Sequence, residues 1–221
     1  MGIYKSREAK EKSLALYDKQ LLELNTPFSD IYVKTSFGNT HLVETGNKAG
    51  KPLLVFHGGN ATTAYNLLMC IAPSKIDKAV LIVPAGIGNA IPVSSVAMLL
   101  PLLQYRITKT EKYLVKTALY MALHEEVLDE DTINILKNSF DNVKIKAAMP
   151  ANIEKKRLSG YCSPTLIIAS EKDCLFPAKK VLHRAGKMIS DCQTVELKES
   201  GHMHILPQAE KERIIAFLGE D

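Results

Sequence analysis

Apolar and polar positions change rhythm several times along this chain, and each change marks an element. Between residues 5 and 25, Leu14, Tyr17, Leu21 and Leu24 recur at steps of three and four among charges, which predicts an amphipathic helix. Two β-prone runs follow, Ile31–Thr35 and Thr40–Glu44. The turn formers around Phe37-Gly38-Asn39 between them predict an antiparallel hairpin. A second Gly/Asn turn at Gly46-Asn47-Lys48 leads into Leu53-Leu54-Val55-Phe56, an apolar run expected as a buried strand. Further runs at Ala79–Val83, Thr165–Ala169 and Thr194–Leu197 precede helical stretches, and the first two lack alternation. Unalternating strands suit a parallel sheet covered on both faces, and strand–helix–strand order implies right-handed crossovers.

From Ile87 to about Ser159 the pattern is helical throughout, as in an inserted lid. Asp129-Glu130-Asp131 makes an acidic helix start ahead of Ile133, Leu136, Phe140 and Val143 at helical spacing. The stretch Met98–Leu103 either packs or lines an apolar pocket. The expected division is an N-terminal helix over 1–30, an α/β core over 31–87 and 159–221, and a helical lid over 88–158.

Composition narrows the picture. A chain of 221 residues, 46% hydrophobic, buries the core of one sizeable domain. The formal charge of +4 is spread among interspersed acids and bases, which is a solvated surface and not a nucleic-acid footprint. Cys70, Cys162, Cys174 and Cys192 lack metal or scaffold spacing and are expected as thiols in a cytoplasmic protein. The longest apolar run, Ile91 to Tyr105, is broken by Pro101 and falls short of the roughly 20 residues of a spanning helix, so no membrane span is expected.

Three places carry candidate chemistry. In His57-Gly58-Gly59-Asn60 the glycines let backbone N–H groups approach a developing oxyanion, although an ordinary strand-to-helix turn has the same composition. Asp173 follows the run Thr165–Ala169, where loops at the carboxyl ends of parallel strands gather sites; it would orient a histidine or help cap the helix beginning near Pro177. His202, after Gly201 in a loop past the last strand, suits general-base work. His204 beside it raises a metal as an alternative, but no third ligand stands at ligand spacing, so neither metal nor cofactor is expected.

Strand–HGG, strand–Asp-x-x-x-Pro and strand–Gly-His-Met, in this order, resemble the α/β-hydrolase superfamily over about Ile31 to Leu218, nearest to bacterial lidded esterases. The resemblance implies oxyanion N–H groups from Gly59 or Asn60, Asp173 as triad acid and His202 as base. It also implies a gap. No G-x-S-x-G occurs anywhere, and only 20 positions separate Asn60 from Val80, room for one helix where the family places two central strands and the nucleophile elbow. The missing segment would fall around Asn66–Met69. Thr62, Thr63 and Cys70 lie on or near the joined helix and Ser94 and Ser95 start the lid, yet none has the strand-to-helix elbow that exposes a nucleophile, which stays unknown.

The expected fold is therefore a truncated α/β-hydrolase: a mostly parallel sheet of about six strands, an N-terminal hairpin and a helical lid. Leu53–Phe56 would pair directly with Ala79–Val83, and a homodimer is one way to cover the altered surface. The expected partner is a small, apolar ester, hydrolysed poorly or not at all. The alternative is a non-catalytic module that binds a small molecule.

Overall fold

The computed structural model describes residues 2–36, 38–56, 64–89, 93–144 and 151–219. Helix α1 spans Arg7–Glu23, started by Ser6, whose hydroxyl accepts from Ala9 N at 3.1 Å. Its packed face is not the expected leucine and tyrosine stripe. Leu14, Tyr17 and Leu24 are exposed, whereas Ala9 and Ser13 are buried and Ser13 Oγ donates to Asn138 Oδ1 at 3.0 Å. Small residues win this face because α1 lies close against a later helix, and a large side chain would hold the two backbones apart.

Strands β1 (Phe28–Thr35) and β2 (Gly38–Thr45) form the expected hairpin, in register from Phe28 opposite Thr45 to Thr35 opposite Gly38. Gly38 takes a φ of +112°, which only glycine adopts without strain. Helix α2 (Ala64–Ile71) follows, then β3 (Ala79–Ile82). The helical section comprises α3 (Val93–Thr108), α4 (Glu111–Ala122) and α5 (Glu130–Asn142). Asp129 caps α5, accepting from Thr132 N at 2.8 Å, as the acidic start predicts. Tyr105, Leu114, Ala118 and Ile133 form that section's own core. Leu99, Leu100 and Leu103 face outward, so the apolar stretch of α3 is largely surface.

The remaining elements are β4 (Thr165–Ser170), α6 (Ala178–Met188), β5 (Cys192–Leu197) and α7 (Gln208–Gly219). β3, β4 and β5 make a parallel sheet in that order, with β4 central and all six of its residues buried. Ile167 and Ala169 enter one core with Val181 and Ala185 of α6, while Leu166 and Ile168 enter another with Phe217 of α7. This two-sided burial is why β4 reads as an unbroken apolar run.

The architecture is α/β with a parallel sheet and an antiparallel hairpin, as expected, but the strand count is lower. Among the described residues there are five strands in two separate sheets, not about six around one sheet. Leu53–Phe56 forms no strand and is exposed, and no pairing joins it to β3. Apolar composition favours burial in a sheet but does not supply the neighbouring ladder that a strand's N–H and C=O groups require.

Candidate active site

The carboxyl ends of β4 and β5 are tied together by their following loops. Glu171 N donates to Leu197 O at 3.0 Å, and Lys172 N to Ser200 O at 2.9 Å. Glu171 Oε2 accepts from Glu199 N at 3.1 Å, and that bond holds its carboxyl below the usual range. Glu199 has a φ of +47°, so the backbone turns sharply just before the histidine.

Asp173 has its side chain wholly buried. One oxygen, Oδ1, accepts from Leu175 N at 2.7 Å and Phe176 N at 2.9 Å; the other, Oδ2, lies 2.9 Å from His202 Nδ1. Its Oδ1 bonds reach the loop before α6 and not the helix itself, whose N-cap is Pro177 with no side-chain cap. One oxygen closes the turn ahead of α6, and the other orients the histidine. A buried carboxylate is tolerated only with such partners, and three hydrogen bonds also fix its direction.

His202 is 21% exposed, with its ring edge-on to Phe176 at a centroid distance of 5.4 Å. With Nδ1 committed to Asp173, no hydrogen bond engages Nε2 among the described residues. The loop is held in place by the end of α4. A Cβ on Gly201 would stand 2.3 Å from Met121 O, so only glycine allows this approach, and Met203 N donates to the same carbonyl at 3.0 Å. His124 Nε2 lies 2.8 Å from Glu199 O. The sequence alone does not reveal His124 or Met121 as supports; glycine immediately before His202 is the one local signal of close packing.

His202 lines a cavity of about 490 Å³ with Ile82, Val83, Val127, Ile205 and the polar Asp129 and Thr132. Val83, just past β3, has a φ of +43°, a strained value for a β-branched residue. His204, the second histidine, also lines the cavity but turns its Nδ1 to Gly201 O and Ser170 Oγ, each at 3.3 Å. Met98–Leu103 does not border it.

His57, Gly58, Gly59 and Asn60 lie outside the described residues, as do Thr62 and Thr63. Cys70 packs against the main core, and Ser94 and Ser95 fall in the first turn of α3. Cys174 is adjacent to Asp173, yet burial and that neighbouring carboxylate push its thiol up to about 11, away from nucleophilic character. The structure thus brings together the expected acid and base. Among the described residues, it sets no activated nucleophile beside them.

Solved structures share this architecture. The naproxen esterase (carboxylesterase NP) of Bacillus subtilis superposes with a TM-score of 0.77 at 15% identity, over 97% of this chain and 100% of that one. A hydrolase from the same organism, described only as putative, gives the same values, with a TM-score of 0.77, 15% identity and coverage of 97% and 100%. Carboxylesterase CesB, also from B. subtilis, gives 0.71 at 17% identity, over 96% of this chain and 99% of that one. No family model and no curated protein matches the sequence.

Proposed function

Because this chain carries the α/β-hydrolase fold, we propose that it is a relative of the serine carboxylic-ester hydrolases that retains the acid and base of a triad without the nucleophile. The observation that carries this reading is the 2.9 Å contact between His202 Nδ1 and a fully buried Asp173 whose other oxygen is locked to backbone. In this reading Nε2 of His202 accepts a proton from water as its oxygen adds to an ester carbonyl. Asp173 stabilises the imidazolium, which then protonates the departing alcohol. His57, Gly58, Gly59 and Asn60 are the proposed oxyanion and substrate-binding residues, and residues 88–158 the lid over a small apolar ester. Losing the serine of a triad costs on the order of 10⁶ in turnover, so activity is impaired or absent.

A second reading, a non-catalytic small-molecule-binding module, is favoured by the apolar side of the cavity, where Ile82, Val83, Val127, Ile205 and Leu206 gather. The proposed compartment is the cytoplasm; no disulfide joins the four cysteines, and no helix of the described residues is long and apolar enough to cross a membrane.

The test uses the purified chain with p-nitrophenyl butyrate and a fluorophosphonate probe. Slow hydrolysis that disappears in both His202→Ala and Asp173→Asn, without covalent labelling, supports the first reading. Stoichiometric labelling would show a nucleophile and overturn it. Tight binding of the ester with no turnover, unchanged in His202→Ala, selects the binding module.

A further inference from the structure

Among the described residues, β3 is an edge of the parallel sheet. Ala79 N donates to Pro164 O at 3.0 Å and Val83 N to Ile168 O at 2.8 Å. Alternate residues of a strand present their backbone groups to opposite sides, so Val80 and Ile82 turn both N–H and C=O away from β4. On that side no strand pairs with them among the described residues. Such an edge is a template for another extended segment.

The chain itself carries a segment with the matching chemistry. Leu53, Leu54, Val55 and Phe56 are 68, 60, 77 and 46% exposed, not helical and without strand pairing among the described residues, and Ile82 on the open edge is 43% exposed. Neither the run nor β3 contains a charge, so laying one along the other buries apolar surface and pairs backbone groups without desolvating an ion. Only residues 57–78 connect the two, yet among the described residues no strand pairing joins the segment to the edge. The helix in that connection, α2, is fastened to the main core through Met69.

We infer that two copies of this chain associate by exchanging the segment: Leu53–Phe56 of one copy adds as a strand along Val80 and Ile82 of the other. The exchange is reciprocal, so it closes about a two-fold axis and stops at a dimer. It covers both exposed runs and both open edges at once.

The experiment combines sedimentation equilibrium with hydrogen exchange on the full chain. The expected mass is twice 24.4 kDa at high concentration, with amide protection over residues 53–56 rising in step with the dimer fraction. Val55→Lys, at a side chain that is exposed in the single chain, shifts the mass to the monomer and leaves the far-ultraviolet spectrum unchanged. Mixing a Val55→Cys copy with an Ile82→Cys copy yields an interchain disulfide above the background of wild type. A monomer at every concentration overturns the inference, whether its run 53–56 is unprotected or folded onto its own edge. A dimer that survives Val55→Lys and forms no added cross-link overturns it equally.

Discussion

β4 and the run at Leu53–Phe56 are both stretches that the sequence marks as parts of one sheet, yet they meet opposite fates. Every residue of β4 is buried, and its following loop is fastened to the end of β5 and the loop beyond it by two backbone hydrogen bonds and a third from Glu199 N to the Glu171 carboxylate. Leu53–Phe56 is as apolar as β4 but exposed. The difference lies in neighbours. β4 has a strand on each side and a helix layer on each face; among the described residues, the run at 53–56 has no strand beside it. An apolar run becomes a strand only where its backbone is answered, because unpaired N–H and C=O groups cost about as much as the side chains gain.

Breaking the well-supported region carries the largest expected effect. Ile168→Ala in β4 leaves a cavity in a core that cannot collapse from either side, and is expected to cost about 4 kcal/mol in denaturant unfolding. Gly201→Ala tests the brace between the histidine loop and α4. Its Cβ meets Met121 O at 2.3 Å, so the loop must shift, with an expected cost of about 2 kcal/mol and a matching loss of any His202-dependent turnover.

Acid gives a smaller effect outside the sheet. Hydrogen bonds from Thr132 hold the Asp129 carboxyl below its ordinary value of 3.8. A depressed carboxyl contributes stability above the unfolded pKa and loses it as the pH falls through the lower folded one. The protection of amides in the first turn of α5, taken relative to their intrinsic exchange rates, should therefore fall below about pH 4 in wild type and show no such acid step in Asp129→Asn, which keeps an acceptor oxygen for the cap. Leu54→Ala is the smallest: with its side chain already exposed, it should change the stability of the single chain by less than about 0.5 kcal/mol. A cost that grows with protein concentration would place Leu54 in an interface and erase its contrast with β4.

Much of the site was legible because its parts are local. A strand that ends before Asp173, and a glycine before His202, each sit within a few residues of the group they position. The resemblance implied Asp173 and His202 as acid and base; the two residues, 29 positions apart in the chain, lie 2.9 Å from each other. What local pattern missed was support from elsewhere: Met121 and His124 belong to the helical section and reach the histidine loop only through packing. The face of α1 was misread for a related reason. Leu14 and Tyr17 have the right spacing for a buried stripe, but the face that packs on α5 is chosen by how closely two backbones approach, which favours Ala9 and Ser13.

By itself, the sequence determined the hairpin, the helical section and the parallel strands β3 to β5, and it set Asp173 and His202 in the loops after β4 and β5. Those follow from periodicity, turn chemistry and motif order, all carried by residues near one another in the chain. Only the tertiary structure decided that, among the described residues, β3 ends the sheet and Leu53–Phe56 takes no place in it. Strand pairing is a contract between distant segments, and hydrophobicity records the wish for a partner without recording whether one is there.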